Sequence, residues 1–90
     1  MYENVSQIGF LYSEDEDMVI RLDKIDCVYV KDRIIFVIVN NHYHAIYTMI
    51  GKTEVINCST LINDIIEHIK YNNQSDFKIK AWLIKLEEQK

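Results

Sequence analysis

Three apolar segments separated by short polar stretches occupy the middle of the chain, from Ile25 to Ile50. All three are rich in β-branched and aromatic residues, which strands favour. The segments are Cys27 to Val30, Ile34 to Val39 and Ala45 to Ile50. This pattern predicts a three-stranded antiparallel meander.

The segment Ile34 to Val39 has no polar residue at alternate positions. A strand with one solvated face normally alternates between apolar and polar residues, so this pattern indicates a strand that is covered on both faces. A helix, a second sheet or another copy of the chain would have to supply the second cover.

Two further strands are predicted before the meander. The stretches Ile8 to Tyr12 and Met18 to Asp23 alternate as strands with one inward face do, and the charged residues from Ser13 to Asp17 form the turn between them. After the meander, Thr53 to Ile56 either extends the sheet as a further short element or leads into a helix.

The period of the apolar residues changes between Ser59 and Tyr71. They recur there every three or four positions, which is the spacing of an amphipathic helix that packs on a sheet. Asn57 or Ser59 can cap its start, and Asn72 with Asn73 can end it. The residues predicted to be most buried are Ile35, Phe36, Val37, Ile62, Ile65, Ile66 and Ile69.

The last segment, Ser75 to Lys90, fits two patterns, because its apolar residues alternate at first and also form a helical stripe. Its length and its charged ending favour the helix. The whole pattern predicts one small α+β domain over residues 1–90. Its fold would be an antiparallel sheet of four to five strands, arranged as a meander, followed by one or two C-terminal helices.

The composition is that of an ordinary globular domain, with 49% apolar and 27% charged residues. No apolar run approaches the roughly 18 residues of a membrane span, and the N-terminus lacks the features of a signal peptide. We therefore expect a cytoplasmic protein with no membrane contact. Glycine occurs only twice and proline is absent, so Asn and Asp must form the turns. The excess of Ile, Lys and Asn indicates an AT-rich genome.

The net charge of −4 is unevenly distributed. Residues 1–32 contain eight acidic and three basic residues, which gives −5, and the remainder is close to neutral. Phosphate contacts require clustered Lys and Arg. Direct binding to DNA or RNA is therefore not expected.

Two histidines, His42 and His44, lie two positions apart and would share one face of a strand. Such a pair can bind Zn²⁺ when a third ligand comes from elsewhere, and the candidates are His68, Cys58 and Cys27. Structural zinc normally has four ligands, and the two cysteines are not spaced as a metal-binding pair. We expect no metal and no cofactor, and the alternative for the histidines is a solvated hairpin.

Two regions are candidates for contact with another protein. The first is an acidic run that is either a solvated turn or a surface for a basic partner, since it lacks the ligand spacing of a calcium loop. Its members are Glu14, Asp15, Glu16 and Asp17. The second is the last helix, whose apolar residues exceed what a small sheet can cover. We expect a homodimer that buries Trp82 and Leu86.

The leading functional hypothesis is a non-enzymatic protein-binding module, such as a small acidic inhibitor, an immunity-type protein or a phage or mobile-element accessory protein. It rests on the lack of a catalytic motif and on the two candidate contact regions. One alternative is a small metal-binding or enzymatic protein that uses His42 and His44 with His68 or Cys58. A second alternative is an acidic mimic of nucleic acid, although a charge of −4 is mild for that role.

Overall fold

The computed structural model describes residues 7–52 and 57–89. Its elements, in chain order, are β1 (Phe10–Ser13), a 3-10 turn (Glu14–Glu16), β2 (Met18–Arg21), a second 3-10 turn (Leu22–Lys24), β3 (Cys27–Lys31), β4 (Ile34–Val39), β5 (His42–Thr48), α1 (Cys58–Tyr71), β6 (Phe77–Lys78) and α2 (Ile79–Glu88). The α+β class expected from the sequence is confirmed.

The described strands form two three-stranded sheets rather than the single sheet expected from the sequence. The meander sheet, β3-β4-β5, is antiparallel throughout, as predicted. The mixed sheet has the order β2-β1-β6, and β1 pairs antiparallel with β2 but parallel with β6. Because β6 follows α1 in the chain, this parallel pair is a long-range contact that no local hairpin pattern indicates.

Both hairpins of the meander sheet turn on two residues with positive φ. The angles are 53° at Asp32, 66° at Arg33, 52° at Asn40 and 65° at Asn41. Positive φ at both central positions gives the tight turn whose twist matches that of the flanking strands. Asn and Asp tolerate this conformation better than other non-glycine residues and hold three of the four positions, while Arg33 holds the fourth. The turn predicted at Asn40 and Asn41 is confirmed.

Helix α1 lies where the sequence predicts it. The side chain of Asn57 accepts a hydrogen bond from the Ser59 N–H at 2.9 Å, which caps the helix start. The segment Thr53 to Ile56 lies outside the described residues. The ambiguous segment after Ser75 contains both predicted structures, since the two-residue strand β6 leads directly into α2.

The core lies between the two helices and the inner faces of the two sheets. Its fully buried apolar residues are Leu11, Leu22, Ile35, Val37, Ile46, Leu61 and Ile65. The prediction was correct for Ile35, Val37 and Ile65, whereas Ile62 and Ile69 are only partly buried against the core.

Two residues predicted to be in the core lie elsewhere. Phe36 is half-buried and outside the core, because successive residues of a strand point to opposite faces and its neighbours Ile35 and Val37 point inward. Ile66 is also half-buried, and it lines an open hollow between α1 and β3.

Strand β1 meets the segment before β6 at Gly9. The Gly9 N–H donates to the Asn73 carbonyl at 2.7 Å, and the Phe10 N–H donates to the Asp76 carboxylate at 2.9 Å. A Cβ at position 9 would lie 2.1 Å from the Ser75 carbonyl oxygen. Only glycine therefore allows the two backbones to approach this closely.

Gly9→Ala should destabilise the fold by about 3 kcal/mol or more, because the methyl group would push against backbone rather than a flexible side chain. Gly51→Ala is the matched control. Its φ is +81° but its Cβ would meet open space, so conformational strain of roughly 1 kcal/mol is expected. Urea unfolding of both variants measures the difference. Equal losses would mean that the contact with Ser75 is not a constraint.

Ile65→Ala should lower the free energy of unfolding by about 2–5 kcal/mol, because Ile65 is fully buried and leaves a cavity. Ile66→Ala removes the same atoms from a half-buried position and should cost only about 1 kcal/mol. Thermal or urea unfolding tests this order. A larger loss for the Ile66 variant would mean that α1 is rotated from the orientation described above.

Candidate functional site

The meander sheet has an outer face that points away from the core. Ile35 and Val37 of β4 are fully buried on the inner face, so Phe36 and Ile38 point to the other side. The strand register places Tyr29 of β3 opposite Phe36, and Tyr43 of β5 opposite Ile38. Aromatic and aliphatic side chains from all three strands therefore share this outer face.

Three aromatic rings form the centre of the outer face. The rings of Tyr29 and Phe36 stack with centroids 5.4 Å apart, and the ring of Tyr43 meets Tyr29 edge-on at 6.2 Å. Loss of hydration raises the pKa of the Tyr29 phenol, and the neighbouring Tyr43 and Cys27 raise it further. The phenol is therefore a neutral hydrogen-bonding group at physiological pH.

We call this surface the aromatic face and define it by Tyr29, Ile34, Phe36, Ile38 and Tyr43. Tyr43 is 67% exposed, and the other four residues are half-buried. None of the five belongs to the core or packs against it. Helix α1 lies on the opposite side of the sheet, so the second cover expected for β4 is not provided by the described elements.

The acidic run is partly used within the chain. The Glu14 carboxylate accepts a hydrogen bond at 3.2 Å from the Lys80 N–H in the first turn of α2, where helix N–H groups lack partners. The Asp15 carboxylate lies 3.5 Å from Lys52 Nζ and 3.8 Å from Lys80 Nζ. Glu16 and Asp17 are exposed. Glu16 and Asp17 make no side-chain hydrogen bond or ion pair within the described residues, and Asp15 is exposed as well.

The predicted interface residues on α2 have different surroundings. Trp82 is half-buried, packs against the core and donates from Nε1 to the Asp64 carboxylate of α1 at 2.7 Å. Leu86 is half-buried, and Ile84 is 58% exposed. Much of the apolar breadth of α2 is thus used within the chain, and a dimer through this helix remains a prediction.

The histidines and cysteines do not form a cluster in the described part of the chain. His42 is exposed, His44 is half-buried, and His68 Nε2 donates to the Ser75 carbonyl at 2.7 Å, close to the Phe77 ring. Both cysteines are free thiols, with Cys58 in the first turn of α1. Within residues 7–52 and 57–89, no three His, Cys, Asp or Glu side chains lie close enough to hold a metal ion.

Comparison with known proteins identifies no relative of this chain. The chain matches no protein-family model, no curated protein and no solved structure. No helix of the described residues is long and apolar enough to cross a membrane. The class of protein is therefore defined by the fold itself, a small α+β domain with two three-stranded sheets and two C-terminal helices.

Glu14→Ala should destabilise the fold by about 1 kcal/mol, because the N–H of Lys80 loses its acceptor at the start of α2. Glu14→Gln keeps an acceptor oxygen and should retain most of the stability. Glu16→Ala is the control on the exposed side of the same turn and should be nearly neutral. The measurement is urea unfolding, and an equal effect of the two alanine variants would contradict a capping role for Glu14.

Proposed function

We propose that the chain is a non-enzymatic protein-binding module and that the aromatic face is its contact surface. The observation that carries this proposal is the contact of the Tyr29, Phe36 and Tyr43 rings on the outer face of the meander sheet, outside the core. A fold of this size has few apolar side chains to spare for its surface. Five of them lie together on a face that no described helix covers.

The chemistry of the aromatic face suits protein recognition. Tyrosine rings provide a large apolar area with a polar tip and lose little conformational freedom when they bind. Aromatic residues at the centre of an interface also contribute a large share of binding energy. Stacking with Phe36 restrains Tyr29 before any partner arrives, which lowers the entropy cost of association.

The charges beside the aromatic face indicate the partner. Lys31 ends β3, and Arg33 lies in the adjoining hairpin turn. Both are exposed, and so is Asp32 between them, which leaves this turn with a net charge of +1; the acidic run lies elsewhere, between β1 and β2. We propose that the partner of the aromatic face is a protein whose contact surface is apolar at its centre and carries a carboxylate opposite the β3–β4 turn. The free end of the acidic run remains a separate contact for a basic surface.

Tyr43→Glu should abolish capture of the partner, because binding would bury an unpaired carboxylate in an apolar contact. Tyr71→Glu is the matched control, since Tyr71 is 76% exposed at the end of α1. The measurement is affinity capture from the host with wild type and both variants, followed by titration of the captured protein. Affinity should fall at least about tenfold for the Tyr43 variant alone.

Two results would contradict the proposal. The first is a partner that binds the Tyr43 variant as tightly as wild type. The second is an equal loss of affinity in both variants, since this would indicate a general effect of added negative charge. Unchanged melting temperatures establish that each variant is folded.

A further inference from the structure

Strand β2 forms an open edge of the mixed sheet. It pairs with β1 on one side, and within residues 7–52 and 57–89 no strand pairs with its other side. The edges of β3 and β6 differ, because the start of β3 faces α1 across an open hollow, and β6 is only two residues long and continues into α2. Edge strands left open in this way can pair with another chain.

The hydrogen bonds to β1 show which backbone groups of β2 face outward. The Leu22 N–H donates to the Gly9 carbonyl at 3.1 Å, so this pair is hydrogen-bonded. Antiparallel pairs alternate between hydrogen-bonded and non-hydrogen-bonded along the ladder. Ile20 therefore bonds to β1, whereas Val19 and Arg21 direct their N–H and carbonyl groups to the open edge.

An open hollow adjoins this edge of the sheet. The hollow of about 350 Å³ follows β2 and is lined by all four of its residues together with Lys24, Val39 and His44. Val19 is 55% exposed there. The four residues of the strand include no proline, lysine or bulge, and its one charged side chain, Arg21, lies at its end.

The charges at the two ends of β2 have opposite signs. Glu16 and Asp17 precede the strand, and Arg21 ends it, with Lys24 in the next turn. When two copies of such a strand pair antiparallel, the acidic end of each lies beside the basic end of the other. The pattern is thus self-complementary, and it identifies the occupant of the edge as a second copy of this chain.

We propose that two copies of the chain pair through β2 about a two-fold axis at Val19. This register makes Val19 pair with Val19 of the partner subunit, and it places Arg21 beside Asp17 of the partner subunit. The two mixed sheets then form one continuous six-stranded sheet. The exposed Val19 side chains come together across the axis, where they lose contact with water.

The existing ion pair of Arg21 does not oppose this arrangement. Arg21 Nη2 lies 2.8 Å from the Asp23 carboxylate, but the two side chains are 47% and 32% exposed. Arg21 Nε also donates to the other Asp23 carboxylate oxygen at 3.1 Å, so the pair is bidentate. The Nη1 group takes no part in this pair and can donate to Asp17 of the partner subunit while the pair with Asp23 stays intact. Strand β5 has no comparable signal, because its residues His42–Thr48 include no acidic side chain.

The proposed dimer is independent of the protein-binding function assigned to the aromatic face. The two surfaces belong to different sheets, so a variant in one leaves the other intact. The dimer also differs from the one expected from the sequence, which uses Trp82 and Leu86. The experiments below distinguish these possibilities.

The first test is a charge exchange followed by sedimentation equilibrium. Asp17→Lys and Arg21→Glu each place like charges together in the dimer, so each should raise the dimer Kd by about tenfold or more. An equimolar mixture of the two variants should restore association. In the mixed dimer the introduced lysine lies beside the introduced glutamate, and the unchanged Arg21 of one copy meets the unchanged Asp17 of the other. Asp17→Asn, which keeps the left-handed turn, should weaken the dimer less.

The second test is a symmetric cross-link. Val19→Cys in a Cys27→Ser background should form a disulfide-linked dimer on mild oxidation, because paired backbones at a two-fold axis lie roughly 5.5 Å apart. Ile84→Cys in the same background is the control, since Ile84 is equally exposed but lies on α2. A dimer through α2 would reverse this result.

Three outcomes would overturn the proposal. One is a wild-type chain that stays monomeric at high micromolar concentration. Another is a mixture of the two charge variants that associates no better than either variant alone. The third is preferential cross-linking of the Ile84 variant. Circular dichroism of each variant confirms that a loss of association is not a loss of folding.

Discussion

One buried hydrogen bond connects the two sheets, and the rest of the architecture depends on it. Ser13 ends β1, is 2% exposed, and donates from its hydroxyl to the carbonyl of Ile46. The register between β4 and β5 shifts after Ile35, which leaves Ile46 as an extra residue opposite no partner in β4. A carbonyl released from the ladder at a buried bulge requires another donor. Ser13 supplies that donor and holds the end of β1 against β5.

This junction explains why the acidic run contributes to the fold. The turn that follows Ser13 lies against β5 and close to the start of α2. Glu14 can therefore cap α2, and Asp15 can meet the cations of Lys52 and Lys80. The start of α2 therefore contacts the residues that directly follow Ser13, where the two sheets are joined. The remaining acids, Glu16 and Asp17, are exposed beside β2.

The sequence predicted the local parts of the fold and missed the long-range ones. The meander and α1 were predictable because periodicity and turn residues are local signals. The division into two sheets was not predictable from local signals. It depends on the parallel pair of β1 with β6 and on the hydroxyl of Ser13, which the sequence places in a charged turn. The aromatic face has a signal in the unbroken apolar run of β4, which predicts cover on both faces but not what provides it, and of the three residues of this run predicted to be core, Phe36 is not. The hydrogen bond of Trp82 to Asp64 joins two helices, so the pattern of one helix alone does not predict it.

The two sheets expose different kinds of surface, a side-chain face in the meander sheet and a backbone edge in the mixed sheet. Among the described elements, none covers the aromatic face of the meander sheet. In the mixed sheet, β6 continues into α2, and no described strand pairs with the outer edge of β2. A side-chain face recognises a surface of complementary shape, whereas a backbone edge recognises a strand with matching charge order. Since Ser13 fixes the sheets relative to each other, one surface can be occupied while the other stays accessible.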